Sequence, residues 1–154
     1  MANKPFLTSG WEVKGIRDAE KFFSTLLEAL PLPAHLCFEG SSFSSDVRKL
    51  LATHAVEPTM QIRAGTIWPK PTVFHVIATE QFLRELAALA TKHANPEICD
   101  HFYAYNDGHG LMHWHDAFDD PLLIDESIAE AALQRFCQKL GVQYLRWCAA
   151  QESR

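Results

Sequence analysis

Apolar positions along the chain switch between two periods, and the switches mark out its elements. From about Arg17 to Leu30, Ala19, Phe22, Phe23, Leu26, Leu27 and Leu30 recur at helical spacing, and Pro31-Leu32-Pro33 stops the run. Residues 34–39, AHLCFE, alternate instead: Leu36 and Phe38 point one way, His35, Cys37 and Glu39 the other. The turn Gly40-Ser41-Ser42 leads to a second helical stripe of Phe43, Val47, Leu50, Leu51 and His54. TVFHVIA, 72–78, is rich in β-branched residues and predicts a strand. Thr79 is placed to cap the helix after it, whose stripe is Phe82, Leu83, Leu86, Leu89 and Ala90. Asn95-Pro96 ends that helix.

Weaker patterns fill the remainder. Trp11–Gly15 reads as a short strand. Segment 56–71 has no clear period; MQIRA within it suggests a short strand, and Trp68-Pro69-Lys70-Pro71 a stiff, extended connection. Asn106-Asp107-Gly108 is the clearest hairpin turn, with strands on both sides. Asp125 reads as the N-cap of a last helix running to Leu140, with Gly141 as its C-cap. VQYLRWCA fits a final edge strand better than a short helix. The sum is an α+β fold, a two-layer α/β sandwich: a mixed sheet of about four to six strands, three or four helices mainly on one face, and a β-hairpin at 99–117. The chain reads as a single domain, 1–154, with 1–9 and 149–154 expected to fray.

Composition narrows the function classes. A length of 154 residues and a 47% hydrophobic share supply one sizeable core. Net charge is −5, and the 14 Lys and Arg form no run, which disfavours nucleic-acid backbones as partners. No stretch of about 18 apolar residues predicts a membrane span, and the first residues lack the apolar core of a signal peptide. Cys37, Cys99, Cys137 and Cys148 show no CxxC spacing and read as reduced thiols, so a cytoplasmic protein is expected.

Candidate chemistry concentrates in Cys99–Asp120, CDHFYAYNDGHGLMHWHDAFDD, which holds four of the eight histidines. Alternation puts Cys99, His101, Tyr103 and Tyr105 on one face and Phe102 and Ala104 on the other. On the return strand, Leu111, His113 and His115 alternate with Met112 and Trp114. A three-residue loop sets His101 opposite His113. A five-residue loop sets Tyr103 opposite His113 and His101 opposite His115. Either register gathers histidines and tyrosines on one face, and His35, Cys37, Glu39 and His75 have the parity to extend it.

That face carries two principal readings. As a binding surface, His101, Tyr103, Tyr105, His113, His115, Cys99, His75 and Cys37 would meet a partner, a second copy in a homo-oligomer, or a small-molecule ligand. As a metal centre, His101, His113 and His115 would hold zinc or another divalent ion, since His113 and His115 lie about 6–7 Å apart on one strand face. Such a site would support a hydrolase by activating bound water. Asp116 or Asp119 would support these ligands from behind only if the chain bends there. The expected function is non-catalytic binding; the metal-dependent enzyme is the alternative. Glu39-Gly40-Ser41-Ser42 lacks a phosphate-loop pattern and reads as helix capping. Asp116, Asp119 and Asp120 read as a turn, and no GxSxG accompanies a serine.

Overall fold

The computed structural model describes residues 5–149. Seven strands form one sheet: β1 (Ser9–Val13), β2 (His35–Gly40), β3 (Thr72–Ile77), β4 (His101–Asn106), β5 (His109–Trp114), β6 (Leu122–Asp125) and β7 (Tyr144–Cys148). Their spatial order is β3-β2-β4-β5-β6-β1-β7. Every pairing is antiparallel, so the sheet is not mixed, and it has one strand more than the upper expectation. The helices are α1 (Ala19–Thr25), α2 (Ser45–His54), α3 (Glu80–Ala90) and α4 (Glu130–Leu140).

The helices meet one face of the sheet because one parity of strands β1 to β6 is mainly apolar. Trp11, Phe38, Phe102, Met112, Trp114 and Ile124 pack with Phe22, Leu51, Phe82 and Phe136 in one continuous core. Phe22 touches Trp114 edge-on with ring centroids 4.8 Å apart, and Phe102 at 5.6 Å. Side-chain caps start three helices: Asp18 for α1, Ser44 for α2 and Thr79 for α3.

Three local expectations need correction. The helical stripe from Arg17 gives only a short α-helix before the backbone tightens into a 3₁₀ turn at Leu26–Glu28. MQIRA forms no strand. Asp125 does not cap the last helix; it ends β6, and α4 starts five residues later without a side-chain cap. The pattern Leu122-Leu123-Ile124 is short, but pairing with β1 and β5 turns it into an interior strand. β1 approaches it closely at Gly10, where an added Cβ would lie 1.8 Å from the Ile124 carbonyl oxygen.

The hairpin register combines a tight turn with a bulge. Asp107 (φ 43°) and Gly108 (φ 73°) make a two-residue turn, pairing Asn106 with His109. Continued unbroken, that register would set Tyr103 opposite Met112 and mix the two faces. An irregularity after Ala104 inserts one extra residue on β5, so Ala104 meets Met112 and Tyr103 meets His113. The bulge restores the alternation that burial demands.

Frayed ends were expected at 1–9 and 149–154; 1–4 and 150–154 lie outside the described residues. Inside them, Leu7 is buried and the Ala149 N–H donates to the Thr8 carbonyl. No helix among the described residues is long and apolar enough to cross a membrane.

Candidate functional site

The face turned away from the helices carries the polar aromatic residues, and strand pairing places them in rows. Cys37 stands between His75 and Tyr103, Glu39 beside His101, and His35 between Ile77 and Tyr105. Three pairs of rings stack: His35 on Tyr105 (centroids 5.1 Å), Tyr103 on His113 (4.9 Å) and His101 on His115 (4.3 Å). So His101, Tyr103, Tyr105, His113, His115, His75 and Cys37 share one face. Cys99 does not: it packs in the helix-side core, because β4 begins only at His101 and alternation does not reach back to 99.

This face is not left open. Segment 56–71 crosses it, and Met60 and Ile62 pack on Cys37, Tyr103 and Tyr105. Phe6 closes the other side, edge-on to Tyr103 (5.5 Å) and His113 (5.9 Å). Two buried polar groups hold the segment down. The Glu39 carboxylate accepts from the Gly65 N–H at 2.9 and 3.1 Å, and Thr66 Oγ1 lies 2.7 Å from His101 Nε2. Glu39 and His101 are each 2% exposed, with Oε2 and Nε2 3.3 Å apart. The Asp116 N–H donates to His101 Nδ1 at 2.9 Å, which fixes that nitrogen as an acceptor and places the ring proton on Nε2, facing Thr66 and Glu39.

Between sheet and segment lies a cavity of about 800 Å³, with Tyr103, His113 and His115 on its floor side and Met60, Ile62 and Arg63 on its roof side. Its volume falls in the range of small-molecule sites. Burial holds the nearby groups in their neutral forms. It pushes His113 down to about 4, helped by His115 and His101, and lowers His75, helped by His35. It raises Tyr103 and Tyr105, and lifts the Cys37 thiol to about 12 with the Glu39 charge adding to the effect. Cys37 Sγ sits 3.8 Å from His75 Nε2, while His75 Nδ1 bonds Tyr105 Oη at 2.8 Å. At neutral pH this is a thiol beside a neutral imidazole, a packed network rather than an activated nucleophile.

The metal expectation regroups. His101, His115 and Asp116 each offer a ligand atom, all within 4.8 Å of one another, so this histidine cluster could bind a metal ion; His113 stands outside it. Asp116 joins because its backbone turns left-handed (φ 47°), the bend that its inclusion required. In the arrangement observed, the His101 and His115 rings lie nearly parallel (12°), so their in-plane lone pairs run side by side rather than converge. His101 Nδ1 also already accepts the Asp116 N–H. Loading an ion therefore requires the rings to unstack and that bond to break.

Sequence reasoning placed Glu39 on this face but missed its role, and missed the covering segment and Phe6. The legible signal was segment 56–71 itself: long aperiodic connections inside a compact domain are usually functional or disordered. A second polar cluster also escaped notice. His109 Nε2 lies 3.0 Å from Asp125 Oδ2 and 3.4 Å from Ser127 Oγ. Carboxylate and hydroxyl meet the same nitrogen, whereas a serine triad needs them on opposite ring nitrogens, so the cluster ties β5 to the turn after β6. All four cysteines are free. Comparison with known proteins returned no match: no family model, curated protein or solved structure resembles the chain.

Proposed function

We propose that the protein binds a small molecule, without transforming it, in the cavity between the His/Tyr sheet face and segment 56–71. The observation that carries this reading is the floor of that cavity. Tyr103 and His113 line it, and neither the Tyr103 hydroxyl nor the His113 ring nitrogens bond a neighbour among the described residues. Elsewhere on the same face, His75, His101 and Glu39 have their polar atoms committed to neighbours. A pocket with apolar walls and a few uncommitted polar atoms suits a ligand that supplies the missing partners. The neutral state of His113 and the protonated Cys37 thiol favour binding over covalent chemistry.

A fragment screen followed by NMR tests this. Shifts should gather on Phe6, Met60, Tyr103 and His113, and Tyr103→Phe with His113→Ala should weaken them. If these resonances instead move only with protein concentration, the face is an interface between copies, and a homo-oligomer replaces the ligand reading. The alternative enzyme reading rests on the cluster of His101, His115 and Asp116. Zinc titration by calorimetry, with His115→Ala as control, checks it: stoichiometric binding lost in the variant supports a metal centre.

A further inference from the structure

We infer that the pocket takes a small organic monoanion, a carboxylate on an apolar body; this rests on the small-molecule reading above. The apolar part follows from the walls. Phe6, Met60 and Ile62 line the cavity where they pack on the Tyr103 side of the sheet face, and Phe6 meets the stacked Tyr103 and His113 rings edge-on.

The charge follows from the polar groups that line the cavity. Arg63 is the one full charge among its described lining residues, and none of them is acidic, in a chain of net charge −5. Gln61, Tyr103, His113 and His115 add donors that suit an acceptor. Neither Glu39 nor Asp116 lines the cavity: Glu39 lies beneath the segment on Gly65 and His101, and Asp116 stands 3.7 Å from His115 Nε2. A guanidinium fork matches a carboxylate in shape as well as sign. One positive charge, beside the His75 and His113 imidazoles that burial keeps neutral, balances one negative charge. A phosphate dianion would leave excess negative charge above buried Glu39, where water cannot screen it well.

The test compares two probes of the same shape, 2-naphthylacetate and 2-naphthylacetamide, on the full chain and on Arg63→Gln. Arg63 is exposed, so its loss leaves the fold intact. Binding is followed by calorimetry and by the Tyr103 and His113 ring resonances. The acetate should bind at least about tenfold tighter than the amide. Arg63→Gln should bring the two within about twofold while leaving the amide unchanged. An amide that binds as well as the acetate overturns the anion assignment and leaves the pocket standing. An acetate that keeps its advantage in Arg63→Gln overturns Arg63 as the partner of the anion. If neither probe moves the Tyr103 and His113 resonances, the pocket reading fails and the ligand class fails with it.

Discussion

The two faces of the sheet are built from alternate residues of the same strands, yet they are held by different means. On the helix face, Phe38, Phe102, Met112 and Trp114 sit in a continuous apolar core under four helices. On the other face, Cys37, Glu39, His101, Tyr103 and His113 lie under an aperiodic segment and Phe6, fixed by a few hydrogen bonds and a small apolar contact. Burial of area stabilises the first, and no single group decides it. Discrete polar contacts stabilise the second, and a few of those groups decide it. A fold organised this way can loosen one face without melting the other, which is what a ligand site requires.

Neighbours on β5 give the largest contrast. Trp114→Ala removes a side chain that is fully buried against Phe22 and Phe118, and should cost about 3–5 kcal/mol. His113→Ala, one residue earlier and half-buried, should cost about 1 kcal/mol while weakening ligand-induced shifts. Urea unfolding of both variants measures the difference. Equal losses would mean that the two faces form one cooperative core.

Next comes the clamp on segment 56–71. Glu39→Ala strips the buried partner from His101 and the acceptor from the Gly65 N–H, and should cost about 3 kcal/mol. Its amides around 60–66 should exchange with solvent far faster, while those of α1 and α3 keep the protection left by the lower global stability. Glu39→Gln keeps an acceptor for Gly65 and should recover about half of the loss. Uniform acceleration across the whole sheet would show that the segment is part of the core rather than a cover.

Gly65 offers a gentler break at the same place. A Cβ there would lie 2.8 Å from His101 Cδ2 and 2.9 Å from its Nε2. The ring cannot retreat, held by Thr66 and Asp116 at its two nitrogens and stacked on His115. Gly65→Ala should therefore lift the segment, at about 1–2 kcal/mol, and raise ligand dissociation more than it lowers stability. A variant with unchanged affinity would remove segment 56–71 from the site.

The helix face was legible in the sequence because it is periodic. Phe22, Leu51, Phe82 and Phe136 follow the helical period, and Phe38 and Phe102 the strand period, so burial could be read from spacing alone. The His/Tyr face was legible as a set of side chains for the same reason, and the Tyr103–His113 register was one of the two that burial allowed. Its cover was not. Gly65 and Thr66 are placed by contacts with Glu39 and His101, 26 and 35 positions away in the chain, and no local period encodes such contacts. Strand β6 was hidden for a related reason: four residues carry too little pattern, and its partners on β1 lie over a hundred positions earlier. Cys99 was misplaced by extending alternation past the end of the strand.

The smallest effect separates the faces by pH. His113 is held neutral, its pKa pushed down to about 4 by burial and by the neighbouring His115 and His101. An unfolded chain would protonate the same ring near 6.5, its ordinary value. Above that pH neither state carries the proton, and the group contributes no slope. As pH falls from about 6.5 toward about 4 the unfolded state takes up a proton that the fold refuses, so stability is lost on acidification. His75, lowered by burial and by His35, acts in the same direction. Part of the His113 ring reaches water, so the loss is about 1 kcal/mol rather than the full value of the shift. Asp46, held down at about 2 through its bond from His93, loses its contribution only below its ordinary value of 3.8, outside this window. Urea unfolding across pH 7 to about 4.5 should show the decline in the wild type and a shallower one in His113→Gln. Parallel curves would mean that the His113 ring takes its proton as readily in the fold as out of it. The face beneath segment 56–71 would then be wetter than the helix face by more than a cavity accounts for.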